Sequence, residues 1–187
     1  MQRRRGFTFI ELLIVTLILG ILVLFAAPKI DVSHFQIESG MQGVGLTLLA
    51  CERQAISQQH DIIVMFDAAR QSLRIHEDKN NNGVVDAGER VRGIALGEKV
   101  VFGRGGVTAM SMGAGPITFV KTISGYPALV FHRDGSASEA GGFYLTSTRA
   151  ALYSGGYTTD SRAVQVDRAT GRASWFRYNT STWKRAF

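Results

Sequence analysis

Twelve consecutive residues, Asp78 to Glu89, carry oxygen donors at a spacing that suits a hard cation. The stretch reads Asp-Lys-Asn-Asn-Asn-Gly-Val-Val-Asp-Ala-Gly-Glu and satisfies the calcium-loop pattern D-x-[DN]-x-[DN]-G-x5-E. Calcium takes roughly six to eight oxygens, and this loop offers about that many. They come from Asp78, Asn80, Asn82, the Val84 carbonyl, Asp86 directly or through water, and Glu89 in bidentate mode, with Gly83 at the sharp turn. The flanks read as strands rather than as the two helices that usually frame such a loop. A polar, Asn-rich hairpin turn is therefore the competing reading.

A second candidate is Glu11, the one carboxylate in an apolar run from Phe7 to Ala27 that follows Arg3-Arg4-Arg5-Gly6. A charged acid at the centre of a membrane-length helix costs about 2.5–3.5 kcal/mol on insertion scales, and less near an end. Such a group needs a partner. A secretory signal peptide accounts for the basic start, but the residues three before Ala26 and Ala27 are Val23 and Leu24, not the small ones a cleavage site needs. A plain single-span anchor with a cytoplasmic basic end fits the length and leaves Glu11 unexplained.

The third cluster is basic. Arg162, Arg168, Arg172, Arg177, Lys184 and Arg185 crowd the C-terminal part beside Trp175, Tyr178 and Trp183. Cations hold phosphates and aromatics stack on bases, so nucleic acid is one reading and a solvated basic strand the other. Enzyme chemistry is poorly represented. His34, His60, His76 and His132 lack zinc-type spacing, and no G-x-S-x-G, phosphate loop or dinucleotide fingerprint is present.

The elements that position these groups follow from hydrophobic period. Ile37, Met41, Val44, Leu48, Cys51 and Ala55 recur at alternating spacings of four and three, lining one face of a helix over about residues 33 to 59. Gln36, Glu38, Gln42, Glu52, Gln54 and Gln58 fall on the other face. Gly40, Gly43 and Gly45 interrupt the seam, which favours packing on the chain's own sheet over a coiled coil. From Asp61 the period becomes two. Strands are predicted at 62–66, 73–76, 91–96, 100–102, 117–120, 128–132, 143–146, 163–166 and 173–178, with long loops at 103–115 and 150–162. Short strands separated by turn residues indicate antiparallel pairing.

Composition adds bounds. The 187 residues suit one domain plus the N-terminal segment, and 45% hydrophobic content disfavours disorder. Formal net charge is +6; without the three leader arginines, 18 basic residues face 15 acidic ones, a mild excess. The single cysteine, Cys51, excludes an intramolecular disulfide and reads as a small buried hydrophobe.

The stretch Arg5-Gly6-Phe7-Thr8-Phe9-Ile10-Glu11-Leu12-Leu13-Ile14-Val15 resembles the class III signal of type IV prepilins and pseudopilins. The resemblance implies that prepilin peptidase cuts between Gly6 and Phe7 and methylates Phe7. It also implies that Glu11 becomes an assembly charge, meeting the terminal amine of a neighbouring subunit. Gly20 and Pro28 stand where pilins often carry a glycine and a kinking proline. Two segments, Leu129-Val130-Phe131-His132-Arg133-Asp134-Gly135-Ser136 and the run Val164 to Ala173 with its Thr170-Gly171-Arg172, resemble hairpins of the GspH/FimT group of minor pilins and pseudopilins.

By this resemblance the fold is α+β and type IV pilin-like, a long N-terminal helix packed on an antiparallel sheet. Residues 1–6 form the leader, 7–28 the transmembrane and filament-core half of the helix, 29–59 its amphipathic half, and 60–187 a periplasmic β domain. The implied chain is a single-pass protein of the bacterial inner membrane, later at the tip or base of a filament. It initiates or caps a type IV pilus or a type II secretion pseudopilus beside other minor pilins or pseudopilins and the major subunit. The alternative is a DNA-binding minor pilin for natural transformation. Some FimT-like pilins take up DNA through G-R-x-R; here Gly171-Arg172-Ala173-Ser174 lacks the second arginine, leaving Arg172, Arg177, Lys184 and Arg185 as candidates.

Overall fold

The computed structural model describes residues 7–26, 33–153 and 155–186, and only the backbone of Phe25 and Ala26. It divides into two compact units, Met1–Val32 and Ser33–Phe187.

The first unit holds helix α1, Phe9–Ala26. Its 18 residues make a rod of about 27 Å, against a hydrocarbon thickness of about 30 Å. Among the described residues no helix is long and apolar enough to cross a membrane. The span expected over 7–28 is thus described only to Ala26, and α1 by itself falls short of it. Pro28 lies outside the described residues.

The second unit opens with α2, Ser33–Gln58, which buries Ile37, Met41, Val44, Leu48, Cys51 and Ala55, the face that the four-and-three spacing defines. Two glycines of α2 serve close approach. A Cβ on Gly40 would sit 2.7 Å from the Leu96 carbonyl oxygen, and one on Gly45 would sit 2.8 Å from the Trp175 ring. Gly43 has nothing within 4 Å.

Among the described residues ten strands follow, all paired antiparallel: β1 (Asp61–Asp67), β2 (Ser72–Asp78), β3 (Val91–Ala95), β4 (Val100–Phe102), β5 (Thr122–Ile123), β6 (Tyr126–Phe131), β7 (Gly141–Ser147), β8 (Arg162–Val166), β9 (Ala173–Asn179) and β10 (Thr182–Arg185). They form two five-stranded sheets rather than the one expected, ordered β3-β2-β1-β6-β5 and β10-β9-β8-β7-β4. The fold is α+β. One core joins α2 to both sheets: Met41 and Leu48 cluster with Val64, Phe66 and Leu129 of the first sheet and Phe143, Val164 and Trp175 of the second. Phe66 stacks against Phe143 with ring centroids 5.1 Å apart.

Eight of the nine expected strands are present. The segment 117–120 is not a strand, and only Ile117 bridges to Phe143. The backbone N–H groups of Val120 and Lys121 donate instead to the Glu139 carboxylate, at 3.1 and 2.9 Å, so no neighbouring strand takes them. β5 and β10 were not expected: the first has two residues and the second is polar, so neither carries an alternating pattern. The expected loop 150–162 overlaps the end of a short helix, α3 (Thr148–Leu152), capped by the Ser147 side chain, and contains a 3-10 turn, Thr158–Asp160.

Candidate functional site

Three places carry the groups singled out above. At the first, Arg3, Arg4, Arg5 and Gly6 lie outside the described residues. Phe7 is described and exposed. Thr8 and Glu11 form a reciprocal cap on α1: the Glu11 N–H donates to Thr8 Oγ1 at 3.3 Å, and the Thr8 N–H donates to Glu11 Oε2 at 3.5 Å. This T-x-x-E arrangement satisfies two orphan donors at a helix start and places an acid where the helix dipole favours one. The apolar side chains from Phe9 to Leu24 are all exposed within this unit, so α1 is a helix built to be covered by something apolar.

The Asp78–Glu89 loop turns at the end of β2. Asp78 is fully buried, and its two oxygens accept the N–H groups of Asn82 (3.1 Å) and Gly83 (2.7 Å). Asn80 and Asn82 accept the N–H groups of Asn82 and Val84, and their side-chain amides converge on one Asp86 oxygen at 2.8 and 2.6 Å. Those amide bonds hold the Asp86 carboxyl below the usual range. Val84 is exposed at the outer turn. Glu89 is drawn aside: Oε2 meets His76 Nε2 at 2.6 Å, and Oε1 accepts the Lys79 N–H at 2.9 Å. Burial raises the Glu89 pKa, but bonds from the Asp86 N–H, His76 and the Lys79 N–H outweigh it and leave the carboxyl below its ordinary value. The loop brings Asn80, Asn82 and Asp86 together, while Asp78 and Glu89 serve mainly as acceptors for its backbone. Among the described residues, no three His, Cys, Asp or Glu side chains gather as a ready metal cage.

The third place is the basic C-terminal hairpin. Strand register sets Arg162 opposite Arg177 and Arg177 opposite Lys184, a row of three cations across β8, β9 and β10. Like charges directly opposite each other repel. Glu38 of α2 answers two of them, with Oε2 at 3.3 Å from Arg162 and Oε1 at 2.7 Å from Arg177. Arg162 also donates to the carbonyls of Thr159 (2.6 Å) and Ser161 (3.0 Å). Burial lowers its pKa, and Glu38 pulls the other way. Arg172 stands apart from this row. With Arg185 and Glu52 it edges a second groove, about 430 Å³, walled by Leu46, Leu49 and Trp175. Trp175 and Tyr178 are buried, and Trp183 donates to the Thr108 carbonyl at 2.8 Å, so the aromatics pack the fold rather than face outward.

Sequence reasoning missed two of these relationships. Arg162 shares the parity of Val164 and Val166 on β8, and an arginine at an inward position calls for a buried partner. Thr8 and Glu11 carry the spacing of a capping box.

Residues 1–27 match the family model of the prokaryotic N-terminal methylation motif. No curated protein and no solved structure matches the chain. The motif supports a type IV prepilin-like protein, a subunit of the pilin and pseudopilin kind, and with it processing by prepilin peptidase. Such subunits take part in membrane-anchored assembly through the N-terminal helix and are structural rather than enzymatic.

Proposed function

We propose that the chain is a minor pilin or minor pseudopilin that initiates or caps a filament, of the GspH/FimT kind. The cut falls between Gly6 and Phe7, and Phe7 is the methylated terminus. Supporting this is α1 itself: a helix with every described apolar side chain exposed and one carboxylate, Glu11, in its first turn. Neighbouring helices in a filament core would cover the apolar surface. Glu11, already beside the start of the helix, is placed to receive a neighbour's terminal amine.

The two C-terminal hairpins lend support. β6 runs into the Asp134-Gly135 turn, and β8 and β9 are joined through Asp167 to Arg172. An in-frame deletion scored for surface filaments and for secreted enzymes tests the reading. Loss of either one, restored by the wild-type gene and not by Glu11→Ala, is expected; intact filaments and intact secretion contradict it.

The same reading takes the Asp78–Glu89 loop as a calcium clip on an exported domain that has no disulfide. Its support is the loop's oxygen-donor spacing, with Gly83 at a positive-φ turn and Asn80, Asn82 and Asp86 gathered together; binding would turn the two amide oxygens, rather than their nitrogens, toward the cation.

A further inference from the structure

The loop between β2 and β3 contains the chain's one Asn-Gly peptide, Asn82-Gly83. The other asparagines, Asn80, Asn81 and Asn179, are followed by Asn, Asn and Thr. An asparagine amide is open to attack by the backbone nitrogen of the next residue, and a glycine there leaves the approach unhindered. Gly83 meets this condition in the fold as well as in the sequence. A Cβ built on it finds nothing within 4 Å, and Asn82 itself is exposed.

Each group that such an attack involves is already in a hydrogen bond. The Gly83 N–H, whose nitrogen is the nucleophile, donates to Asp78 Oδ2 at 2.7 Å. Asn82 Oδ1, which gathers negative charge during the attack, accepts the Val84 N–H at 2.8 Å, a donor of the kind that stabilises an oxyanion. Asn82 Nδ2, the leaving group, donates to Asp86 Oδ2 at 2.6 Å. In the planar cyclic imide that would form, Asn82 Cγ takes the place of the hydrogen on Gly83. Asp78, fully buried, occupies that direction and holds the reaction back until the loop opens. Residues 79–82, 84, 87 and 88 are exposed, as suits a segment that opens at low cost.

We propose that Asn82 is a site of spontaneous deamidation, that the Asp78 bond to the Gly83 N–H sets its rate, and that the product loosens the loop. Once released, the N–H gives its proton to water, the Gly83 nitrogen bonds to Asn82 Cγ, and the Cγ–Nδ2 bond breaks. Ammonia leaves with the balancing proton. Water then opens the imide at either carbonyl, giving aspartate or isoaspartate at this position, and no oxidant or reductant takes part. Either product sets a carboxylate against Asp86 where an amide had bonded to it, and like charges that close repel. Of its two amide partners Asp86 keeps Asn80, at 2.8 Å. Isoaspartate also inserts a methylene between the two N–H groups that Asp78 accepts.

The test incubates the full chain for weeks at neutral pH in metal-free heavy-oxygen water, followed by peptide mass spectrometry. The absence of metal keeps the result independent of the calcium reading. Expected is uptake of the label at Asn82, as a mixture of aspartate and isoaspartate, ahead of Asn80, Asn81 and Asn179. Conversion should be several-fold faster in Asp78→Ala and, without any substitution, in the chain unfolded by denaturant. Asn82→Asp should melt below the wild type. No conversion at Asn82, or conversion no faster than at Asn80 and Asn81, overturns the site. Equal rates in the folded wild type, in Asp78→Ala and in the unfolded chain overturn the hold by Asp78. An unchanged melting temperature in Asn82→Asp overturns the loosening.

Discussion

Arg162, 1% exposed, donates to the Glu38 carboxylate at 3.3 Å, a contact that joins α2 to the second sheet across 124 residues of sequence. A buried guanidinium that loses its counter-ion keeps the full cost of its burial. Glu38→Ala is therefore expected to destabilise the folded unit by about 3 kcal/mol. Denaturant unfolding checks this; a loss within about 0.5 kcal/mol, the range of an ordinary surface change, would mean the two carbonyls satisfy Arg162 unaided.

Gly40 and Gly43 lie one turn apart on α2 and should respond in opposite directions. Alanine at Gly43 meets nothing within 4 Å, so helix propensity alone acts and stability rises by up to about 1 kcal/mol. At Gly40 the new methyl lies 2.7 Å from a backbone carbonyl, and the clash outweighs that gain, for a net loss of about 1–2 kcal/mol. Thermal melts of the two variants decide it, and equal shifts would contradict the close approach of α2 to the Leu96 segment.

Acid should unfold the protein through its turn aspartates. Asp134 accepts the Ser136 hydroxyl at 2.6 Å and its N–H at 2.9 Å, and Asp167 accepts the Thr170 N–H and hydroxyl, both at 3.0 Å. These bonds lower both carboxyl pKa values. A lowered folded value means stability present above the ordinary carboxylate value of about 4 and lost as pH falls through the depressed one. Melting temperatures taken from about pH 6 to about pH 2 should drop along that limb, more shallowly in Asp134→Asn/Asp167→Asn. An unchanged slope in the double variant would assign the acid limb to other groups.

Calcium should stabilise the domain if the Asp78–Glu89 loop holds it. Millimolar calcium is expected to raise the melting temperature of the wild type and not of Asp86→Ala. No rise with metal-free protein would leave the loop as a hydrogen-bonded turn.

The helix was legible because six buried positions kept a strict four-and-three spacing, and the long strands because their inward residues alternate. The division into two sheets was not, since it depends on which strands pair across long connections. β10 escaped because Thr182, Lys184 and Arg185 carry no apolar pattern. The loop's residues were legible as oxygen donors, but their hydrogen bonds, with Glu89 turned to His76, depend on a histidine thirteen residues away. The Glu38 clamp was hidden for the same reason: Glu38 reads as one more polar residue on the outer face of α2 until β8 and β9 are brought against it.

Intact-mass and N-terminal analysis of the protein recovered from cells with an active prepilin peptidase tests the central claim most directly. The account expects a chain lacking residues 1–6, beginning at Phe7 with one added methyl group, and full-length protein from Gly6→Ala. A wild-type chain that keeps its leader, or a Gly6→Ala chain cut normally, would contradict it.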